Sequence, residues 1–233
     1  MRIILRSLFL AGILSALACT APDRTPVGET LSDDISSKLV PAGFLSDYSN
    51  LTPSKIPDLK GAYTYRNKSK SLGIYKLVML DPVKVHLREG AAGRKQSPEK
   101  LRDLAKFWEN KILESLGDSF PVVNKPAWGV MRIRAAIVDA TPNFPLTNGI
   151  DAPAVVGTTG IELEVLDSLS GEQIAAAVDS RPGKWYRLRN LTEEDGYAKN
   201  LLGEWAMLLR DGLDDVRGLH RDSEFGTLRP LFR

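Results

Sequence analysis

The chain has 233 residues, 43% of them hydrophobic and 26% charged, with 31 basic and 29 acidic side chains, two histidines and a single cysteine. That is the composition of an ordinary globular domain, with apolar residues enough for a core that needs neither disulfides nor metal. It excludes the strongly basic character of a nucleic-acid binder, and no lysine-rich run suits an anionic lipid surface.

At the N-terminus Arg2 and Arg6 precede the apolar stretch Leu8–Leu17, which ends in small residues before Cys19. This is the layout of an export signal. The run Leu14-Ser15-Ala16-Leu17-Ala18-Cys19 resembles a bacterial lipobox, with Ala16 standing where the usual motif has leucine. Cleavage before Cys19 would leave an acylated cysteine at the new N-terminus, and Thr20 in place of aspartate after it is similar to lipoproteins sorted to the outer membrane. Ala16-Leu17-Ala18 also fits ordinary secretory cleavage, which would leave a soluble periplasmic or secreted protein. A lone exported thiol without a disulfide partner favours the lipid anchor. A spanning helix needs about 20 apolar residues, and Arg6 leaves too few. Two or more acyl chains hold a protein stably where one does not. With residues 1–18 removed, Arg2 and Arg6 leave too, and the count becomes 29 basic to 29 acidic. The domain that follows is neutral.

Residues 19–41 are rich in proline and polar residues and read as a flexible tether. Order is predicted to begin at Gly43-Phe44-Leu45-Ser46-Asp47-Tyr48-Ser49-Asn50-Leu51, so that residues 42–233 form a single domain. Short strands are expected at Ala62–Arg66 and Ile74–Leu80, with Asp81-Pro82 breaking the second. Val83, Val85 and Leu87 alternate with Lys84, His86 and Arg88, the pattern of a half-buried strand. Ser97-Pro98-Glu99 then opens a helix with a capping hydroxyl, a proline in the first turn and an acid near the positive end of the dipole. Leu101, Leu104, Ala105, Trp108, Ile112 and Leu116 fall on one stripe of it, and Gly117 is placed to cap its end.

From Trp128 to Asp139 the chain is again extended, with Met131, Ile133, Ala135 and Ile137 on one face and Arg132 and Arg134 on the other. Ile161–Leu166 shows the matching pattern, with Glu162 and Glu164 on one side. If the two strands are neighbours, arginines and glutamates pair across the sheet; the alternative is an anion-binding arginine pair. Asp167–Gly171 supplies turn residues before a strand at Gln173–Asp179, with Gly171 in a left-handed conformation. A second helix is expected from Thr192 as N-cap, burying Tyr197, Leu201, Trp205, Leu208 and Leu209. The connection between Ala140 and Gly160 is too long for an ordinary loop, and its Phe144 and Leu146 are candidate contacts for a partner.

No zinc-protease, thiol-redox, serine-hydrolase or phosphate-loop pattern occurs. His86 reads as a solvated surface residue rather than a general base, and no cofactor or metal is expected. GFLSDYSNL at 43–51, IYKLVMLDPV at 74–83, RIRAAIVDATP at 132–142 and ELEVLDSLSGEQIAAAVDSRPG at 162–183 together resemble the bacterial lipoproteins grouped as domain of unknown function 3313. The resemblance implies an exported envelope lipoprotein of one α/β domain, without established catalytic residues. The expected fold is α+β: a mainly antiparallel sheet with two principal helices on one side. The expected role is a non-enzymatic accessory domain on the periplasmic face of the outer membrane. It would bind an envelope protein, or alternatively a small ligand, glycan or lipid, with Arg132, Arg134, Phe144 and Leu146 as candidate contacts; an envelope hydrolase is the third reading, and it would need Glu162 and Glu164 to converge in a cleft.

Overall fold

Three long strands of alternating or wholly apolar residues make the centre of the molecule: β5 (Val130–Ala140), β6 (Thr158–Asp167) and β7 (Gln173–Pro182). They pair antiparallel, with Arg134 opposite Glu164 and Leu163 opposite Ala177. Short strands flank them: β1 (Thr52–Pro53) and β2 (Tyr63–Arg66) beyond β7, and β3 (Leu77–Leu80) and β4 (Lys84–Val85) beside β5. β3 and β4 run parallel to β5; the other pairings are antiparallel. The computed structural model describes residues 39–56, 59–141, 157–182 and 196–216. These all fall in the unit Ser36–Arg233, an α+β domain with a seven-stranded sheet. Cys19, Thr20, Phe144, Leu146, the predicted cap Thr192 and His220 lie outside the described residues.

Two helices, α1 (Pro98–Leu116) and α2 (Gly196–Val216), cover one face of the sheet. Ser97 accepts the Lys100 N–H at 3.2 Å, and the residues α1 buries are the six of the predicted stripe. Gly117, at φ 50°, ends it. Trp108 and Trp205 meet between the helices at 6.4 Å, and the Trp205 indole donates to Asp179 on β7 at 2.8 Å, tying helix to sheet. Arg210 of α2 reaches the end of α1, donating to the carbonyls of Ser115 (2.7 Å) and Leu116 and to Asp214 (2.7 Å). A cation at a helix C-terminus meets the negative end of the dipole, so this buried guanidinium caps α1 and fixes the helix pair together.

Several strand boundaries differ from those the sequence suggests. Leu72–Ile74 form a 3-10 turn, and pairing starts only at Leu77, where Val130 first offers a partner. The half-buried run after Pro82 is reduced to Lys84–Val85, because proline brings no ladder donor and β5 shifts register between Ile137 and Asp139. Thr158–Gly160, expected within the long connection, belong to β6, and β7 runs on to Pro182 to match them.

The opposite face of the sheet is covered as well. Residues 39–51 cross it as a strap, with Phe44 and Leu45 packed on Ala136, Val138, Ala176 and Val178, and with Leu39, Tyr48 and Leu51 against the same cluster. Among the described residues, contacts with the sheet thus reach back to Leu39, a few residues before the predicted start of order. This third layer explains why β6 is buried on both sides although its sequence alternates.

Candidate functional site

Glu162 and Glu164 project from β6 toward the strap, and both are fully buried. Glu162 accepts the N–H groups of Ala42 (2.7 Å) and Phe44 (3.1 Å) and the phenol of Tyr48. Glu164 accepts the Ser46 N–H (3.0 Å), the Ser46 hydroxyl (2.6 Å), the Gln173 amide (2.8 Å) and the Arg134 guanidinium. Every second N–H of the strap thus meets one of two carboxylates spaced two residues apart on a strand. Desolvating a carboxylate costs several kcal/mol, and three or four charge-assisted hydrogen bonds to each one offset that cost. Arg134 also lies over the Phe44 ring at 4.9 Å. His86 is exposed, as expected, but its Nε2 bonds the Ala42 carbonyl at 3.0 Å, so it also holds the strap.

Tyr48 is the hub of this clamp. Its oxygen accepts the N–H groups of Gly43 (2.8 Å) and Leu45 (3.1 Å) while its proton goes to Glu162. Burial and the neighbouring carboxylate push the phenol up to about 12. Gly43 stands at φ 89°, a conformation that favours glycine. The two glutamates therefore face backbone donors of their own chain, and no cleft opens between them as a carboxylate hydrolase site requires.

The two arginines part company. Arg134 pairs with Glu164 across the sheet as the alternation predicts. Arg132 instead makes a two-pronged bond to Asp81, at 2.8 and 2.7 Å, beyond the end of β3. That carboxylate keeps the guanidinium protonated to still higher pH than usual. Asp81 came to notice in the sequence only as half of a strand-breaking dipeptide; the parallel pairing of β3 with β5 is what brings it to Arg132.

Asp81 also lines an open groove of about 650 Å³ with Met79, Leu80, Pro82, Val122, Val123 and Asn124. The groove exists because β3 and the segment after Pro121 stay together for one bridge only, Val78 with Val122, and then diverge. Val122 is exposed at its rim. This is the concave surface that lies beside one of the sequence-predicted contact residues.

Other titratable side chains are engaged within the fold. Asp139 takes Arg88 at 2.9 Å and the Gly93 N–H at 3.3 Å. Asp179 takes Trp205 and Arg181. Asp167 takes the Tyr75 phenol and the N–H groups of Leu169 and Ser170 in the β6–β7 turn, which hold its carboxyl below the usual range, the Ser170 N–H most strongly. Gly171 ends that turn at φ 73°, as predicted. Among the described residues no group of three His, Cys, Asp or Glu is placed to hold a metal ion, and no helix is long and apolar enough to cross a membrane.

The family model described as protein of unknown function (DUF3313) matches residues 41–209. Its span opens inside the strap and closes inside α2. A search of curated proteins gave no match. Among solved structures the chain is similar to the PelC dodecamer from Paraburkholderia phytofirmans, at 13% identity and TM-score 0.37, over 63% of this chain and 96% of that one. It is also similar to the hypothetical protein CT253 from Chlamydia trachomatis, at 11% identity and TM-score 0.35, over 62% of this chain and 97% of the other. A third is a putative neuraminyllactose-binding hemagglutinin homolog from Helicobacter pylori, at 10% identity and TM-score 0.34, over 67% and 88% of the two chains.

Proposed function

The chain belongs to the DUF3313 family of proteins of unknown function, and we propose for it a role that rests on contact rather than on chemistry. The protein is a non-enzymatic accessory domain of the bacterial envelope. It is held on the periplasmic face of the outer membrane by an acylated Cys19, sorted there with Thr20, and it binds a protein partner.

The observation that carries this reading is where the acids and bases of the sheet are spent. Glu162, Glu164, Arg134, Asp139, Asp167 and Asp179 each close a strap, a turn or a helix contact. Concave surface remains at the groove between β3 and Val122–Asn124, where Met79, Leu80, Pro82, Val122 and Val123 share the lining with polar groups, Asp81 and Asn124 among them, beside the Arg132–Asp81 pair. Such a mixed surface matches a modest protein interface, which as a whole is only about as apolar as the rest of a protein's surface. The groove's volume lies within the range of small-molecule sites, and this favours a ligand-binding module as the second reading.

Site-specific photocrosslinking in intact cells tests the proposal. A photoreactive residue at Val122 is expected to give a discrete protein adduct that Met79→Asp abolishes, whereas one at exposed Lys106 on α1 gives none. Equal labelling at both positions, or none at Val122, would overturn it. A thermal shift by small ligands that Met79→Asp removes, without any protein adduct, would favour the second reading instead.

A further inference from the structure

Among the described residues few large apolar side chains stand exposed, and three of them gather at one end of the sheet. Trp128 is 78% exposed, Leu169 62% and Ile74 42%. They come from three separate connections that the backbone knits together. Ser168, beside Leu169, bonds both the N–H and the carbonyl of Ala127, at 3.2 and 3.1 Å, and its own N–H reaches Val130. The carbonyl of Ile74 lies 3.3 Å from where a Cβ on Gly129 would stand, and Lys76 donates to the Gly129 carbonyl at 3.0 Å. Gly129 itself holds φ 75°, so the turn that presents Trp128 is set by a residue other side chains replace poorly.

The charges around this tip lean positive. Lys76 and Lys125 are exposed beside Trp128 and carry no ion pair among the described residues. Of the acids at the same end, Glu172 is paired with Lys70 at 2.7 Å and also accepts from Asn67, whereas Asp167 keeps its charge, held by the Tyr75 phenol and by its own turn. No lysine-rich run marks this in the sequence, since the fold assembles it from separate loops. A tryptophan with aliphatic neighbours and flanking free lysines is the chemistry of a membrane–water interface, where the indole sits at headgroup level and ammonium groups meet anionic lipid.

We propose that this tip, with Trp128 at its point, seats on an anionic phospholipid surface. The inference deepens the anchored-domain reading and rests on the chain being held near a membrane. It gives the domain a fixed orientation there. The strap enters at the other end of the sheet, near His86 and Ile137. Twenty residue steps separate Cys19 from Leu39 and span at most about 70 Å, twice the roughly 33 Å length of β5, so an anchor at Cys19 permits the tip to face the bilayer.

The test uses the full chain purified from membranes and reconstituted in vesicles of phosphatidylethanolamine and phosphatidylglycerol brominated near the headgroup. Tryptophan emission is expected to be quenched, by at most the share of one of the four tryptophans. Trp128→Phe is expected to remove that quenching, and Lys76→Glu with Lys125→Glu, or zwitterionic lipid alone, to reduce it. Quenching that survives in Trp128→Phe, or is absent from the native chain, overturns the proposal. So does a concentration-dependent blue shift of Trp128 emission without lipid, which would assign the tip to a second copy. The same vesicles with Cys19→Ala separate the two ideas: quenching that persists without acylation supports the tip whatever the fate of the anchor.

Discussion

Arg132 and Arg134 look equivalent in the sequence, two residues apart on one face of one strand, and the structure makes them unequal. Arg134 faces a fully buried carboxylate, whereas the Arg132 side chain is 41% exposed beside its partner Asp81. Breaking a buried pair strands a charge, and breaking an exposed one costs little. Arg134→Met is therefore expected to lower stability by about 3 kcal/mol and Arg132→Met by less than about 1 kcal/mol in urea unfolding. Equal losses would refute this account of the clamp. Tyr48 sets a pH dependence of definite sign. Its phenol ionises near 12 in the fold against an ordinary 10, so the folded state favours the neutral form. That contribution is complete below pH 10, shrinks as pH rises past it and is gone once the folded phenol ionises. The melting temperature should fall across that window, and Tyr48→Phe should flatten the fall. Tyr75, also raised by burial and by Asp167, leaves a residual slope.

The elements that the sequence makes plain are those whose cues are local. The first helix carries its own cap and stripe, and the β6–β7 turn carries Asp167, Ser170 and Gly171, so both stand where periodicity and turn chemistry put them. The strap is different. GFLSDYSNL shows that order begins, but nothing within it says that alternate N–H groups seek Glu162 and Glu164, about 120 residues away in the chain. The paired acids on β6 read as cross-sheet partners of the β5 arginines alone, because the sequence cannot supply the layer that covers them. β3 and β4 came out shorter than predicted for a related reason, since a parallel edge strand lasts only as long as its neighbour keeps register. Gly93 offers a check on this packing. A Cβ there would lie 2.8 Å from the Ala140 carbonyl oxygen and 2.9 Å from its nitrogen. Gly93→Ala should therefore push the turn off the end of β5 and cost about 2 kcal/mol, read as a shifted urea midpoint with unchanged slope.

Within the unit Ser36–Arg233, the described residues form a sheet covered by two helices on one face and by the strap of residues 39–51 on the other. Fold class was legible because strand alternation and helix stripes are strong signals, whereas the candidate surfaces were not. The groove depends on two segments diverging after a single bridge, and the Trp128 tip on three connections meeting at one end. Neither juxtaposition has a sequence period. The strap also ties the two halves of the functional reading together, because the chain that clamps the sheet at Ala42 continues upstream to Cys19. The central claim is that this domain works while held at a membrane. Its most direct test is labelled palmitate fed to cells making the native chain or Cys19→Ala. Label is expected in the native chain, recovered with the outer membrane, and none in the variant; equal incorporation in both would show that Cys19 does not carry the anchor.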